Sequence, residues 1–408
     1  MSKKDNVIDY LKKDNVIDYL LKLHKFEFIC ELGKGGFGSV IAIKVNGSIF
    51  AFKIVKVKKF DEKNSLKKSK KEFEKEKEEY NKVIHSIEKE FNYAKMLRGK
   101  YCIRTLSIYK DIYEDKKTNK NKSIIIYSAV MEKAIYSDLK YFIYYFYKGN
   151  MLHLNNYHKN FPHLYHINML TIKFFAYQII QCIDFLERHQ LCHCDFKPEN
   201  FLINIGFVIK MSDFSLLKLI EKNKNIVLTS STWNIKSPEY FNENKEVKGK
   251  DAIKVDIFAY GLILYYMCFY EHLIDNNDKS FFSEKNKEKS EKKQYLIKKI
   301  KEKIKNKVLN KEYKFIDDGL RELIEKSIEP DINKRITVKE LLENEWVNQG
   351  LDTIKQIYDI NDNEEIKLLI EFQKERNKIK DDNNNHINIQ NKEKIRKRQK
   401  NIFHIINN

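Results

Sequence analysis

The sequence predicts an α+β fold with two lobes, a smaller sheet-containing part followed by a larger helical part. Alternation of apolar and polar residues, which is typical of strands, dominates residues 25–57. Helical periodicity dominates the chain after residue 134. Because strands come first and helices later, the two kinds of element are expected to segregate. Hydrophobic residues make up 42% of the 408 residues, which suffices for a sizeable core and excludes full-length disorder.

The smaller part is predicted to be an antiparallel sheet with one main helix. Its expected elements are three strands over 25–57, a helix over 84–97, and two more strands around 103–109 and 123–131. Asn46-Gly47 is a strong hairpin signal between the last two of the first three strands. Residues 58–83 are densely charged, and we interpret them as a solvated insertion whose composition also permits a helix.

The larger part is predicted to consist mainly of helices. They are expected over 138–147, 170–189 and 256–271, followed by two final helices that end near 347. The helix at 256–271 is apolar all round, which predicts burial in the core. A polar stretch at 148–168 and a Lys/Glu/Asn-rich insertion at 276–312 interrupt this part.

These patterns divide the chain into four segments: an extension over 1–24, the small lobe over 25–133, the helical lobe over 134–350, and a basic, Asn-rich tail over 351–408. The extension contains the nonapeptide KKDNVIDYL twice, at 3–11 and at 12–20. Two copies of nine residues are too few for a solenoid, so the repeat predicts no more than an amphipathic helix.

The strong positive charge defines one group of alternatives. Lys and Arg number 77 against 58 Asp and Glu, a formal net charge of +19. Such a charge attracts nucleic acid, anionic membranes and ATP. The lysines are spread over many loops instead of forming one stripe with interleaved aromatic residues, so we interpret them as a solvated surface and predict no specific nucleic-acid partner.

Cysteine use and the absence of targeting signals indicate a reducing compartment, and we expect a cytoplasmic or nuclear protein. The six cysteines form no CxxC pair. Cys192-His193-Cys194 is a weak metal candidate, because successive residues of an extended chain point to opposite sides and a second ligand pair is missing. The first ten residues lack an apolar signal core, and the longest apolar run, 257–270, is too short to span a bilayer.

A glycine-rich segment lies between the first two predicted strands. Its residues are Gly33, Lys34, Gly35, Gly36, Phe37, Gly38, Ser39 and Val40. Glycines allow backbone amides to approach phosphate oxygens without an intervening Cβ. A dinucleotide-binding fold would require a helix directly afterwards, whereas here a strand follows. The pattern therefore favours a phosphate-covering hairpin.

A series of short motifs follows in a diagnostic order. They are Ala51-Phe52-Lys53; His193-Cys194-Asp195-Phe196-Lys197-Pro198-Glu199-Asn200; Asp213-Phe214-Ser215; Ser237-Pro238-Glu239; Asp256 at the start of the buried helix; and Arg335. Together with the glycine-rich segment, they make residues 26–347 resemble the eukaryotic protein kinases. The resemblance implies a two-lobed kinase fold, ATP and Mg²⁺ as cofactors, and a protein substrate.

The resemblance implies a role for each matching residue. Asp195 would be the catalytic base, Lys197 would neutralise the transferring phosphoryl group, and Asn200 and Asp213 would bind Mg²⁺. Lys53 would contact the phosphates, held by Glu90 with Glu88 as the fallback partner. The adenine pocket would comprise Val40, Ala51, Met131, Glu132, Ala134 and Leu202. Glu239 and Arg335 would form a buried ion pair, Asp256 would bind the backbone around His193, and His193 would be structural.

Lys197-Pro198 and Thr232 resemble the serine/threonine type, and Glu199 hints at a preference for basic residues near the phosphorylated hydroxyl. Two substitutions depart from the family pattern. Cys194 replaces the arginine that would bind a phosphate on the activation segment, so we hypothesise that activity does not depend strictly on phosphorylation at Thr229, Ser230 or Ser231. Ser215 replaces a glycine, which is expected to restrict the conformational freedom of its loop.

Two alternatives remain at this point. The first is a pseudokinase scaffold that keeps the fold but not the phosphoryl transfer; the presence of Lys53, Asp195, Asn200 and Asp213 argues against it. The second is a nucleic-acid or membrane-surface binder that uses the basic insertions and tail, in which case binding would depend steeply on salt concentration.

Overall fold

The computed structural model describes most of the chain, as two compact units. The described residues are 15–35, 38–60, 69–114, 123–144, 169–221, 223–229, 232–284 and 286–350. Unit 1 comprises the described residues up to 99 together with 103–135, and unit 2 comprises 100–102 and 136–350. Several predicted features lie outside the described residues: the first nonapeptide, Gly36, Phe37, 61–68, the end of the 138–147 helix with the whole polar stretch at 148–168, Ser230, Ser231 and the tail from 351.

Unit 1 contains a five-stranded antiparallel sheet in the order β1-β2-β3-β5-β4. Its strands are β1 (Glu27–Gly35), β2 (Gly38–Val45), β3 (Ser48–Lys58), β4 (Thr105–Glu114) and β5 (Ser123–Glu132). All five predicted strands are therefore confirmed. The turn between β2 and β3 is the expected one: Asn46 and Gly47 have φ of 49° and 83°, and Val45 pairs with Ser48.

One face of this sheet is covered by helix α1 (Asn15–His24). Val16, Ile17 and Leu20 are buried on it against a cluster of sheet side chains. Those sheet residues are Ile41, Ile43, Phe52, Ile54, Ile126 and Val130. The segment predicted to be an extension thus ends in a helix that contributes three side chains to the core of unit 1.

The opposite face of the sheet packs against helix α2 (Lys70–Met96), whose Phe91 lies in a cluster with Val55, Tyr127 and Ala129. Ser69 begins the helix through a reciprocal capping box with Glu72. The helix is longer than the predicted 84–97 because the charged segment before it also adopts helical structure, with its side chains largely exposed. The face of α2 toward the sheet is supplied by Tyr80, Ile84, Ile87 and Phe91.

Unit 2 is mainly helical. Its longer helices are α3 (Met169–Arg188), α4 (Ile253–Phe269), α5 (Asn276–Ser283), α6 (Lys289–Lys303), α7 (Asp318–Ser327) and α8 (Val338–Glu343), with a helical stretch at 139–144. Three short antiparallel pairs accompany them: β6 (Leu191–Cys192) with β9 (Lys218–Leu219), β7 (Phe201–Ile203) with β8 (Ile209–Met211), and β10 (Asn225–Val227) with β11 (Glu246–Lys248).

The apolar helix α4 is a core helix of unit 2. Among the described residues, Gly249–Phe269 is the stretch with enough length and hydropathy to cross a membrane, and 89% of its most apolar window is buried within the protein. Phe258, Tyr260 and Leu264 are all fully buried there. Burial against other protein elements accounts for the apolar composition without a membrane.

The Lys-rich insertion of unit 2 is folded, because apolar residues recur between its lysines at helical spacing. Leu296 and Ile300 on α6 and Val308 in the π-helical turn that follows are fully buried. Ion pairs add to this anchoring: Lys303 and Lys307 contact Glu271 at 2.8 and 2.6 Å. Amphipathic spacing thus prevails over a composition that suggests solvation.

A buried ion pair lies in the middle of unit 2. Arg335 Nη2 donates to Glu239 Oε1 at 2.9 Å, and Arg335 Nη1 donates to Glu239 Oε2 at 3.1 Å. The arginine is 1% exposed and also donates to the carbonyl oxygens of Glu329 and Lys254. The predicted pair is therefore confirmed, and its bidentate geometry with further backbone acceptors offsets the cost of burying two charges.

The packing of α4 on α7 generates a stability prediction. A Cβ on Gly261 would lie 2.5 Å from Ile328 Cγ2 and 2.7 Å from Ser327 Cβ. Alanine favours a helix interior over glycine by about 1 kcal/mol, but overpacking costs about 1–3 kcal/mol, so the clash should prevail. We expect Gly261→Ala to lower the free energy of unfolding by about 1 kcal/mol in denaturant titrations of the full chain.

Ser290→Ala is the control, because Ser290 is exposed on α6. It should change the free energy of unfolding by less than about 0.5 kcal/mol. A Gly261→Ala protein as stable as the wild type would show that α4 and α7 are not packed this closely.

Candidate active site

The loop after β6 is held by a buried carboxylate. Asp256, on α4, accepts a hydrogen bond from the amide of His193 at 2.6 Å and another from the amide of Cys194 at 2.9 Å. Burial raises the pKa of Asp256, while the nearby His193 and the two amides oppose that rise. The expected contact between Asp256 and this backbone is confirmed. It fixes the direction in which the chain leaves β6 toward Asp195.

Four predicted site residues meet around the carboxylate of Asp195. Its Oδ2 accepts from Lys197 Nζ at 2.5 Å and from Asn200 Nδ2 at 3.2 Å. Asn200 also donates to the backbone oxygen of Asp195 at 2.8 Å, and Lys197 donates to Thr232 Oγ1 at 3.2 Å. These bonds hold the buried carboxylate of Asp195 beside the Lys197 cation. The lysine in turn contacts Thr232, 35 residues further along the chain.

Asp213 is brought beside Asn200 by the β7–β8 ladder. Phe201 pairs with Met211, and the next residue, Ser212, donates both its amide and its hydroxyl to the carbonyl of Asn200 at 2.9 and 3.1 Å. Asp213 follows directly and adopts a left-handed conformation, φ 60° and ψ 74°, which aspartate tolerates better than most residues.

The donor set of Asn200 and Asp213 suits magnesium. Both side chains supply hard oxygen atoms, and the amide nitrogen of Asn200 already faces Asp195, so its oxygen lies on the opposite side. Within the described ranges no three His, Cys, Asp or Glu side chains cluster as metal ligands. Mg²⁺ is commonly bound by one or two protein oxygens plus substrate phosphates and water, so these residues fit it.

Ser215 lies in the 3₁₀ turn Phe214–Leu216, immediately after Asp213. Helical backbone angles are unstrained for a residue with a Cβ, so serine fits this position without cost. Phe214 is buried and contacts the His193 ring, with ring centroids 5.8 Å apart. The observed conformation therefore agrees with serine in place of glycine; the effect on loop mobility stays a prediction.

In unit 1, Lys53 on β3 forms an ion pair with Glu90 on α2. Glu90 is 6% exposed, and a carboxylate buried to this extent needs a cationic partner. Glu88 accepts instead from Lys110 Nζ and Tyr127 Oη, each at 2.9 Å, and these hydrogen bonds lower its pKa. The fallback partner is thus engaged elsewhere, which identifies Glu90 as the residue that positions Lys53.

The hairpin between β1 and β2 requires glycine at its closing pair. Gly35 pairs with Gly38, and Gly33 pairs with Val40. Gly38 has φ 147°, and a Cβ there would lie 2.1 Å from the carbonyl oxygen of Ile54. Glycine is therefore necessary for the close approach of β2 to β3, besides any role toward phosphate.

The predicted adenine-pocket residues are distributed over both units. In unit 1, Ala51 on β3 pairs with Met131 on β5, which places them side by side in the sheet. Glu132 ends β5; its carboxylate accepts from the amide of Arg104 at 2.7 Å, and Ala134 follows two residues later. Leu202 belongs to unit 2, on β7, where it pairs with Lys210.

Two supporting residues were not predicted from the sequence. Tyr240 is buried and donates its hydroxyl to the carbonyl oxygen of Cys194 at 2.9 Å, a contact across 46 residues. Ser212 provides the bonds to Asn200 described above. Both contacts depend on how distant segments fold together, and no local pattern distinguishes these residues from other hydroxyl side chains.

The Cys192-His193-Cys194 segment is arranged by the fold of the loop. The two sulfur atoms lie 3.3 Å apart, and both thiols are buried. The His193 ring instead contacts the carbonyl oxygen of Ser212 at 3.2 Å. Burial raises the pKa of Cys192, which favours the neutral thiol. His193 thus supports the loop, in agreement with the structural role that was predicted.

The charge of Glu199 is balanced within unit 2. Its Oε1 accepts from Lys140 Nζ at 2.6 Å, and both side chains are about equally exposed. An engaged carboxylate attracts a basic substrate residue less than an isolated one. This contact weakens the hint that Glu199 selects basic residues.

Comparison with known proteins agrees with this arrangement. The protein kinase domain family matches residues 26–347. The chain is 28% identical over 179 residues to CBL-interacting protein kinase 10 of Oryza sativa subsp. japonica, covering 43% of this chain and 35% of that protein. It is 30% identical over 184 residues to a probable myosin light chain kinase of Dictyostelium discoideum, covering 45% and 33%.

A third relative, CBL-interacting serine/threonine-protein kinase 15 of Arabidopsis thaliana, is 25% identical over 178 residues, covering 43% of this chain and 37% of that protein. The chain spans about a third of the length of these curated relatives. The family match extends over most of the chain and includes every described motif of the site. The chain therefore belongs to the eukaryotic protein kinase family.

Proposed function

We propose that this protein transfers the γ-phosphoryl group of ATP to serine or threonine hydroxyls of protein substrates. The observation that carries the proposal is the hydrogen-bonded cluster of Asp195, Lys197, Asn200 and Thr232. A buried carboxylate, an adjacent cation and an orienting amide are the groups that phosphoryl transfer to a hydroxyl requires. Each of them is positioned here by contacts within one unit.

In this proposal Asp195 accepts or orients the proton of the attacking hydroxyl. The bonds from Lys197 and Asn200 both reach Oδ2 and hold the carboxylate in one orientation. Lys197 stabilises negative charge on the phosphoryl oxygens as they transfer, and Thr232 keeps the lysine in reach. Little covalent chemistry is left to the protein, so positioning and charge stabilisation supply the catalysis.

Lys53 binds the non-transferring phosphates, and Glu90 sets its position. The backbone of the β1–β2 hairpin supplies amides to the phosphate oxygens. Asn200 and Asp213 would hold Mg²⁺, which supplies charge neutralisation for the phosphates when bound. Val40, Ala51 and Met131, on neighbouring strands of the unit 1 sheet, provide apolar surface for the adenine.

The preference for serine and threonine rests on three observations. Lys197-Pro198 follows Asp195 directly, and Lys197 donates to Thr232. One of the relatives is named as a serine/threonine-protein kinase. The charge balance at Glu199 leaves the flanking preference of the substrate open to direct measurement.

Asp195→Asn tests the proposed base. Asparagine keeps the size and can still accept from Lys197, but it cannot accept a proton. We expect phosphorylation of a degenerate peptide library with Mg²⁺ and ATP to fall by about 10²–10⁴-fold. Phosphorylation of the same library by the wild type and by Asp195→Asn, measured side by side, also reports whether serine, threonine or tyrosine is modified.

Asp318→Asn is the matched control, since Asp318 is exposed on α7 and paired with Lys311. It should leave activity within about twofold. An Asp195→Asn enzyme that is as active as the wild type would rule out the proposed base. A folded wild-type protein without any ATP turnover would instead support the pseudokinase alternative.

Glu90→Gln and Glu88→Gln form a second matched pair. Glutamine at Glu90 removes the charge that holds Lys53, so we expect phosphate transfer to decrease at least about tenfold. Glutamine at Glu88 disturbs only the contacts to Lys110 and Tyr127, and activity should remain within about twofold. The measurement is kcat/KM for ATP; equal losses in the two variants would contradict the assignment of Glu90.

We also propose that activity does not require a phosphate on the activation segment. The thiol of Cys194 has no positive charge with which to bind such a phosphate. It is also buried, with its sulfur 3.3 Å from that of Cys192. Alanine at Thr229, Ser230 and Ser231 together should therefore leave kcat/KM within about threefold. Loss of activity in a triple variant whose circular dichroism spectrum is unchanged would show that one of these hydroxyls is needed.

A further inference from the structure

All the buried side chains that helix α1 places on the sheet of unit 1 come from one copy of the repeated nonapeptide. The three buried side chains of α1 are Val16, Ile17 and Leu20. Tyr19 adds a hydrogen bond to the carbonyl oxygen of Ile112 at 3.3 Å, and its ring packs edge-on against Tyr113. All four residues belong to the second copy, residues 12–20.

The surface beneath α1 is large and apolar. It includes Ile41, Phe52, Ile54 and Ile126, which are fully buried in the cluster that α1 joins. Exposing these side chains to water would be unfavourable, which favours any conformation that covers this face. Its specificity lies in the spacing of the three apolar side chains along one helical face.

The first copy of the nonapeptide, residues 3–11, is identical to the second. Val7, Ile8 and Leu11 therefore have the same spacing as the three buried residues of α1, and Tyr10 corresponds to Tyr19. Any surface that recognises the second copy through these side chains also recognises the first.

We propose that residues 3–11 are an alternative occupant of this sheet face within the same chain, so that the N-terminal segment binds unit 1 in two registers nine residues apart. In the second register Leu11 takes the place of Leu20, and the second copy becomes part of the connection to β1. The inference does not depend on phosphoryl transfer.

The register seen in the structure is favoured by residues that lie beyond the repeat. Leu21 packs at the edge of the cluster, and His24 contacts Asp111 at 3.0 Å and stacks near Tyr109, with ring centroids 4.1 Å apart. In the second register Lys12 would replace Leu21, and Asn15 would replace His24. Neither residue reproduces the apolar and aromatic contacts.

The connection to β1 permits both registers. Residues 21–26 join Leu20 to β1 now, and residues 12–26 would join Leu11 to it. The longer connection has ample reach at about 3.3 Å per residue. Because the connection of 15 residues loses more entropy on closure than the one of six, the second register is disfavoured by only about fourfold. Attachment to the same chain gives an effective concentration in the millimolar range, so exchange within one molecule outweighs exchange between molecules.

Alanine at Leu20 and at Leu11, singly and together, tests the proposal in the full chain. The readout is the opening constant of β2 and β3 amides from hydrogen exchange. Leu11→Ala alone should change it by less than about twofold, because α1, whose Val16, Ile17 and Leu20 fill the face, does not include Leu11. In the Leu20→Ala background, Leu11→Ala should raise it by about tenfold or more, because the substitute is lost as well.

Residues nine apart in a helix are about 13 Å from each other, so direct contact within one helix would not produce this coupling. Asn6→Ala in the Leu20→Ala background is the control, because the equivalent Asn15 is exposed on α1. It should leave the opening constant within about twofold. Additive effects of Leu11→Ala and Leu20→Ala, or an equal effect of Asn6→Ala, would overturn the proposal.

A gain-of-binding variant covers the case in which Leu20→Ala abolishes protection altogether. Lys12→Leu with Asn15→His gives the first copy the residues that follow the second. When Lys12→Leu and Asn15→His are added to Leu20→Ala, the protection of the β2 and β3 amides from hydrogen exchange should increase at least about tenfold. A further Leu11→Ala should remove this gain in protection. Failure to restore protection, or protection that depends on protein concentration and so reflects exchange between molecules, would overturn exchange within one chain.

Discussion

The arrangement of the site depends on the carboxylate of Asp256. It is fully buried in a core helix, and it satisfies two successive amides of the loop that leads to Asp195. Two buried amides without an acceptor would raise the free energy of the fold, and so would a buried carboxylate without donors. The amides and the carboxylate therefore hold one another in position. Tyr240 holds the same loop through a hydrogen bond to the carbonyl oxygen of Cys194. The conformation of the loop is thus a consequence of hydrogen-bond satisfaction in the core.

From that anchor, two further sets of contacts position the reactive groups of unit 2. Hydrogen bonds within the loop connect Asp195, Lys197 and Asn200. The β7–β8 ladder then brings Asp213 next to Asn200, with Ser212 bonded to the carbonyl between them. In unit 1, Lys53 is held by Glu90, whose helix packs on the sheet through Phe91. Each group is held by hydrogen bonds or ion pairs to neighbouring elements, as preorganised charge stabilisation requires.

The two faces of the unit 1 sheet are covered in different ways. Helix α2 lies between β3 and β4 in sequence and carries Glu90, the partner of Lys53, whereas α1 precedes the sheet and covers its other face through side chains of a repeated peptide. The charged first half of α2 and the Lys-rich α6 show the same principle in two places. A lysine-rich segment folds when a few apolar residues recur at helical spacing, and the charged side chains remain on the solvent side.

Local patterns were sufficient to predict the five strands and the hairpin at Asn46-Gly47, because strand alternation and turn chemistry are encoded by neighbouring residues. The order of short motifs along the chain was sufficient to single out Lys53, Asp195, Asn200 and Asp213. Only the tertiary structure could decide between Glu90 and Glu88 as the partner of Lys53. Both carboxylates lie on one helix two residues apart, and the contact of Glu88 with Lys110 depends on how β4 packs beside α2. The burial of α1 and the support from Tyr240 likewise depend on surfaces that form only when distant segments meet.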